Sequence, residues 1–180
     1  MSERFVLVLG GTRSGKSRYG LRRARELAGG AGDGDVVFLG TAMPGDPELA
    51  DRVRRHRAER PASWRTIDVG LDLAAALEAA GTTTVALVDG LTLWLSAVAG
   101  DEPADIDAIL DGPFAAVVAV IRSRRGATVV VSDEIGLGMV PLDPVSRRFR
   151  DLLGIAHQRL AAEADEVHLM VAGLPLTLKP

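Results

Sequence analysis

The sequence predicts an α/β fold in which helices cover both faces of a mainly parallel sheet. Five short apolar runs, each typical of a buried strand, alternate with stretches that favour helix. Such alternation implies crossover connections and therefore parallel strands. The predicted strands cover residues 5–9, 35–42, 83–89, 127–132 and 167–172, and residues 174–178 could return as an antiparallel edge strand.

The predicted helices fill the intervals between these strands. Residues 62–68, around Trp64, are predicted to be irregular. No linker, repeat or low-complexity tract divides the chain, so we expect residues 1–180 to form a single domain. The predicted helices cover residues 16–28, 46–60, 71–80, 91–98, 106–125 with an interruption near Gly112 and Pro113, and 143–164.

Composition narrows the functional classes. The 180 residues are 47% hydrophobic and 25% charged, as in ordinary globular proteins, and the formal net charge is −3. A chain without an overall positive charge is not expected to bind nucleic acid. The sequence has no cysteine, no signal-peptide pattern and no apolar run near ~20 residues. We therefore expect a cytoplasmic protein without a membrane span.

A glycine-rich turn joins the first predicted strand to the first predicted helix, and it matches the P-loop pattern G-x-x-x-x-G-K-[ST]. Backbone N–H groups of such a turn, the helix N-terminus and the lysine ammonium together bind a triphosphate. The chain has only two lysines, Lys16 and Lys179, so a lysine at this position favours a P-loop over a chance match to the pattern. The predicted phosphate-binding residues are Gly10, Gly11, Thr12, Arg13, Ser14, Gly15, Lys16 and Ser17.

Ser17 and Asp89 are the predicted ligands of Mg²⁺. In P-loop proteins the serine after the lysine, and a carboxylate at the end of a neighbouring strand, contact the metal directly or through water. Asp89 ends the third predicted strand. The alternative for Asp89 is that it caps the following helix.

The predicted helix at residues 46–60 carries a histidine among arginines. His56 shares a face with Leu49, Val53 and Arg60. On one interpretation this is a solvated basic helix with one packed histidine. On the other, a neutral imidazole attacks the α-phosphate of a nucleotide while the arginines stabilise the phosphoryl charge.

The segment 132–141, which follows the fourth strand, contains Asp133, Glu134 and two glycines. It lies at the carboxyl end of the predicted sheet, where α/β proteins bind ligands, and it could supply a general base for a substrate hydroxyl. A turn leading into the last helix is the alternative. His157, in that helix, and His168, in the fifth strand, are interpreted as structural residues.

Taken together, these motifs resemble the bifunctional adenosylcobinamide kinase / adenosylcobinamide-phosphate guanylyltransferase family. The resemblance spans nearly the whole chain. It rests on an ordered series of motifs: G-G-T-R-S-G-K-S, R-V-R-R-H-R-A-E-R-P with W-R-T, L-V-D-G-L-T-L-W-L-S, D-E-I-G-L-G-M-V-P, R-R-F-R-D-L-L-G, Q-R-L-A-A-E-A-D-E-V and V-A-G-L-P-L. The chain departs from the family at Asp133, where Asn is usual, at Asp68, where Glu is common, and at Gly90, where Cys is common.

The resemblance implies two reactions on one nucleotide site. A nucleoside triphosphate, ATP or GTP, phosphorylates adenosylcobinamide; GMP from GTP then passes through a guanylyl-histidine, matched here by His56, to the cobinamide phosphate. The resemblance also implies Mg²⁺ and a homotrimer. Further residues matched to the nucleotide site are Gly40, Thr41, Ala42, Arg57, Ala58, Glu59, Arg60, Asp68 and Asp89.

Two other functions fit the residues alone. One is a P-loop kinase of another small metabolite, in which His56 is only packed. The other is a nucleotide-gated module that uses residues 10–17 as a switch and transfers no group.

Overall fold

The structure, a computed structural model, describes residues 4–29, 35–42 and 60–180. Seven strands of the described residues form a single sheet in the order β3-β2-β4-β5-β1-β6-β7. The strands are β1 (Phe5–Gly10), β2 (Val36–Gly40), β3 (Arg65–Asp68), β4 (Val85–Asp89), β5 (Thr128–Asp133), β6 (Glu166–Val171) and β7 (Leu174–Lys179).

Neighbouring strands are parallel except for the last pair, in which β7 returns antiparallel to β6 at the edge of the sheet. The predicted strand pattern and the antiparallel edge strand are therefore confirmed. Because the parallel strands share one direction, their carboxyl ends lie along a single edge. At that edge Gly10 of β1 pairs with Asp133 of β5, and Gly40 of β2 pairs with Asp89 of β4.

Helices cover both faces of this sheet. Alternate residues of β1 point to opposite faces, so that Leu7 and Leu9 belong to one buried cluster, and Val6 and Val8 to the other. The described helices are α1 (Lys16–Leu27), α2 (Leu73–Ala79), α3 (Leu91–Ala99), α4 (Ile106–Asp111), α5 (Pro113–Ser123) and α6 (Pro144–Glu163).

The smaller of these clusters packs around α1, and the larger one includes side chains from α2 to α6. The predicted interruption of the helix at residues 106–125 is confirmed, since α4 ends at Asp111 and α5 begins with Pro113 at its first turn. None of the described helices is both long and apolar enough to cross a lipid bilayer.

The prediction for residues 62–68 was wrong in part, because Arg65–Asp68 form strand β3. Among the described strands it pairs with β2 alone and lies at the edge of the sheet, where its side chains are half-buried or exposed. A four-residue edge strand lacks the continuous apolar run by which the buried strands were recognised. The predicted helix at residues 46–60 falls, except for Arg60, outside the described residues.

Candidate nucleotide-binding site

The P-loop residues form a tight turn between β1 and α1. Gly15 caps α1 with a left-handed backbone, φ +93°, which only glycine adopts without strain. A methyl group at this position would also come within 3.2 Å of the Cα of Gly173. Residues 11–13 are exposed to solvent, whereas Ser14 and Lys16 are buried. The turn therefore leaves Gly11, Thr12 and Arg13 accessible above a well-packed base.

The β6–β7 turn supports the P-loop from the side. The backbone N–H of Gly173 donates to the carbonyl of Ser14 at 2.9 Å, and the N–H of Ser14 donates to the carbonyl of Gly11 at 3.2 Å. Gly10 leaves no room for a side chain, since an added Cβ would contact the Ser14 hydroxyl and lie 3.0 Å from the carbonyl oxygen of Met170. These contacts fix the path of the loop backbone before any ligand binds.

Lys16 is held at the base of the loop. Its Nζ donates to the carbonyl of Gly11 at 3.2 Å and lies 2.5 Å from Oδ1 of Asp133. The lysine side chain is only 9% exposed, and that of Asp133 is 27% exposed. Lys16 is therefore paired with a carboxylate at the base of the loop.

The structure brings the side chains of Ser17 and Asp89 together. The Ser17 hydroxyl donates to Oδ1 of Asp89 at 3.1 Å, joining the first turn of α1 to the end of β4. Both atoms are oxygens, the ligands that Mg²⁺ prefers. The described residues contain no cluster of three or more His, Cys, Asp or Glu side chains suited to a metal. Magnesium in nucleotide sites commonly has one or two protein ligands and takes the rest from phosphates and water, so the pair fits that ion.

A second group of predicted residues lies at the same edge of the sheet. Gly40 pairs with Asp68 on one side and with Asp89 on the other, so the ends of β3, β2 and β4 are adjacent. Thr41 is 1% exposed, and its hydroxyl contacts the carbonyls of Asp89 at 3.1 Å and Gly90 at 2.7 Å. Ala42 is half-buried next to it in the chain.

Arg60 lies slightly away from that edge. Its guanidinium stacks over the Phe38 ring, 3.6 Å from the ring centroid, and donates to the Thr66 hydroxyl at 3.4 Å. Phe38 and Thr66 are register partners two residues before Gly40 and Asp68. The remaining predicted residues of this segment, His56, Arg57, Ala58 and Glu59, lie outside the described residues.

A network of polar side chains contacts the backbone of Asp133. The backbone N–H of Asp133 donates to the Thr92 hydroxyl at 2.8 Å, and that hydroxyl lies 3.0 Å from the Ser132 hydroxyl. Ser132 in turn lies 2.8 Å from Nε2 of His157, whose Nδ1 is 3.5 Å from Oε2 of Glu134. The network ties β5 to α3 and α6, and so fixes the position of Asp133 beside Lys16.

Burial sets the protonation of His157. Desolvation lowers the pKa of His157 below its ordinary value of 6.5, and the carboxylates of Glu134 and Asp133 oppose this effect. The imidazole is therefore neutral at neutral pH. His168 contacts Glu166 and Thr177, each at 3.2 Å, and joins β6 to β7.

Sequence reasoning missed Thr92 and the direct contact between Asp133 and Lys16. Thr92 lies in the first turn of α3, forty-one residues before Asp133, and although it falls within the motif L-V-D-G-L-T-L-W-L-S, no local pattern links it to Asp133. The contact of Asp133 with Lys16 follows from the pairing of β1 with β5, which no local pattern encodes. Only the order of the strands, in which β5 lies next to β1, reveals this contact.

Comparison with known proteins identifies the family of this chain. The sequence model of the cobinamide kinase / cobinamide phosphate guanyltransferase family matches residues 6–178. The bifunctional adenosylcobalamin biosynthesis protein CobP of Pseudomonas aeruginosa is 44% identical over 175 residues, which cover 96% of each chain.

The bifunctional adenosylcobalamin biosynthesis proteins CobU of Salmonella typhimurium and Escherichia coli are 34% and 31% identical to this chain. In both cases the alignment covers 97% of this chain and 99% of the relative. The match therefore extends over the whole sheet as well as the P-loop. The chain belongs to the cobinamide kinase / cobinamide phosphate guanyltransferase family and is thus a kinase and nucleotidyltransferase.

Proposed function

We propose that this chain phosphorylates adenosylcobinamide and then guanylylates the product, giving adenosylcobinamide-GDP for cobalamin biosynthesis. Family membership supports both reactions, since the family description names a cobinamide kinase and a cobinamide phosphate guanyltransferase. The observation that carries the proposal is the convergence of Lys16, Ser17, Asp89 and Asp133 around the P-loop. A packed glycine turn without a ligand would not need this arrangement.

In the first reaction the P-loop binds the triphosphate of ATP or GTP. The backbone of residues 10–17 holds the phosphate oxygens, and Lys16 neutralises charge between the β- and γ-phosphates. The hydroxyl oxygen of the aminopropanol arm attacks the γ-phosphorus. The bond from that phosphorus to the β,γ-bridging oxygen breaks, and the nucleoside diphosphate leaves with the electron pair. The hydroxyl proton passes to a base or to solvent.

Magnesium is proposed to be held by Ser17 and Asp89. When bound, the ion neutralises negative charge on the β- and γ-oxygens of the nucleotide. The contribution of this chain is the placement of two oxygen ligands on separate elements, α1 and β4, 3.1 Å apart. Thr41 supports the second of them, because its buried hydroxyl contacts the Asp89 carbonyl and orders the backbone there.

In the second reaction His56 is the proposed nucleophile. Its imidazole nitrogen attacks the α-phosphorus of GTP, pyrophosphate leaves, and a guanylyl-histidine forms. A phosphate oxygen of cobinamide phosphate then attacks the same phosphorus and frees the histidine. The arginines at positions 54, 55 and 57 stabilise the phosphoryl charge in both steps.

The remaining site residues are assigned to the nucleoside. Gly40, Thr41, Ala42 and Asp68 lie at the edge of the sheet beside Asp89. That position supports a role in contacting the base or ribose. Arg57, Ala58, Glu59 and Arg60 are assigned to the same nucleotide because they match the family motif around His56.

We propose that residues 1–180 form one domain, that the protein is a homotrimer, and that it acts in the cytoplasm. The chain spans nearly the full length of its relatives, and its seven strands form one continuous sheet from β3 at one edge to β7 at the other. Both observations support a single domain. The trimer rests on family resemblance.

Product analysis tests the two activities together. The purified chain is incubated with adenosylcobinamide, Mg²⁺ and ATP, and then with GTP. Chromatography with mass detection should show adenosylcobinamide phosphate first and adenosylcobinamide-GDP after GTP is added. Phosphorylation without the second product would favour a kinase alone. If the corrinoid remains unmodified while the chain binds nucleotide, a switch module is the better description.

A further inference from the structure

An exposed apolar loop begins two residues after Asp133. This apolar loop, residues 135–142, reads I-G-L-G-M-V-P-L and contains no charged residue. Leu137 is 84% exposed, Met139 95% and Leu142 97%. Soluble proteins seldom expose large apolar side chains in so dense a run unless something binds there.

The apolar loop is held in place despite its exposure. The guanidinium of Arg150 donates to the carbonyls of Gly136 at 2.7 Å and Met139 at 3.0 Å. Arg147 donates to the carbonyls of Pro141 at 3.1 Å and Leu142 at 2.5 Å. Two arginines of α6 thus bind four loop carbonyls, and the N–H of Gly136 donates to Glu134 at 2.5 Å.

These bonds decide which groups the loop presents. Because its carbonyls are occupied by α6, the apolar side chains remain on the outside. A loop ordered in advance loses little conformational entropy when a ligand covers it. The arrangement therefore suits a large, flat and uncharged ligand surface better than a phosphate or a charged peptide.

We propose that the apolar loop binds the corrin ring of the substrate. This inference rests on the proposed function, which requires the hydroxyl of the aminopropanol arm to reach the γ-phosphate near Lys16. The ring at the other end of that arm is too large to enter the P-loop and must lie outside it. The loop starts beside Asp133, whose carboxylate is 2.5 Å from Lys16, so it borders the place where the arm emerges.

Chemistry favours the corrin ring over a second copy of the chain as the occupant. The ring is a wide apolar surface fringed by neutral amide side chains, and the loop is apolar and uncharged. The loop also follows closely after Asp133, whose carboxylate contacts Lys16, so it adjoins the P-loop where the substrate reacts. A contact between subunits would not have to lie next to the P-loop.

Kinetics of the phosphorylation reaction test the inference. The double variant Leu137→Ser/Met139→Ser should raise the KM for adenosylcobinamide at least about tenfold, while the KM for the triphosphate changes less than about twofold. Leu178→Ser is the matched control. This leucine is 56% exposed on β7, next to Lys179, which pairs with Val167 of β6. It should leave both KM values unchanged.

The outcomes separate the inference from the proposed function. Unchanged corrinoid KM in the double variant, with the wild-type chain active, overturns the inference and leaves the function intact. A wild-type chain that phosphorylates no corrinoid overturns the proposed function itself. Gel filtration of each variant completes the test, because a changed oligomeric state with an unchanged corrinoid KM would assign the loop to a subunit contact instead.

Discussion

Nζ of Lys16 lies 2.5 Å from Oδ1 of Asp133, at the point where β1 and β5 end side by side. The lysine that the P-loop offers to a triphosphate is therefore already paired with a carboxylate. A phosphate that binds there competes with Asp133 for Lys16 and also experiences its negative charge. We therefore expect the pair to lower the affinity of the site for a triphosphate.

Asp133→Asn should tighten triphosphate binding. The amide keeps the shape of the side chain and can still contact Lys16, but it removes the competing charge. We expect Kd for ATP or GTP to fall about two- to fivefold, equivalent to roughly 0.5–1 kcal/mol for a partly exposed ion pair. Isothermal titration calorimetry at two salt concentrations measures this, and the gain should shrink at high salt. Weaker binding in the variant would contradict a competing role.

Lys16→Ala should weaken both half-reactions, since one triphosphate site is proposed to serve both. Loss of a charged hydrogen-bond donor to phosphate lowers each rate at least about tenfold. Phosphorylation of the corrinoid and guanylylation of the protein are measured separately at subsaturating nucleotide. Lys179→Ala is the control, because its Nζ contacts the carbonyls of Ala161 and Ala162 at the end of α6. Guanylylation at full rate in the Lys16 variant would mean two separate sites.

Gly15→Ala should damage the P-loop through its backbone. The left-handed φ of +93° costs a residue with a side chain roughly 1–2 kcal/mol, and the new methyl group would press on Gly173. We expect lower thermal stability and weaker nucleotide binding. Gly154→Ala in α6 meets nothing within 4 Å and should instead stabilise the chain by about 0.5–1 kcal/mol. Equal effects of the two substitutions would argue against this loop geometry.

His157 should make stability depend on pH. Its pKa is below 6.5 in the folded chain because the ring is buried, so the unfolded chain binds more protons just below pH 6.5. The stabilisation is complete above pH 6.5 and is lost as the pH falls from there towards the folded pKa. Denaturant unfolding of the wild-type chain should show this fall, and His157→Gln should flatten it. If the stability of His157→Gln depends on pH as steeply as that of the wild-type chain, His157 is not the cause.

The fold was largely predictable because the central strands of its sheet are buried on both faces. Residues 5–9 are apolar throughout, residues 127–132 contain three consecutive valines, and the glycine turn at residues 10–17 marks the first crossover. β3 escaped prediction because an edge strand of four residues, half-buried at most, carries no such signal.

The site was predictable where a local pattern exists and not where strand order decides. Motif spacing singled out the P-loop residues together with Ser17 and Asp89, whose side chains are hydrogen-bonded in the structure. The contact of Lys16 with Asp133 depends on β5 lying between β4 and β1, which periodicity does not reveal. The Thr92 hydroxyl joins the site for the same reason, through the packing of α3 against β5.

The central claim is that a histidine of this chain carries GMP between the two substrates. The most direct measurement incubates the protein with Mg²⁺ and GTP labelled on the α-phosphate, with no corrinoid present. We expect a label on the protein that is stable to alkali, labile to acid and located at His56 by peptide mapping. His56→Ala should abolish it and keep corrinoid phosphorylation. A chain that forms adenosylcobinamide-GDP with no labelled protein, or with the label intact in His56→Ala, would contradict the account.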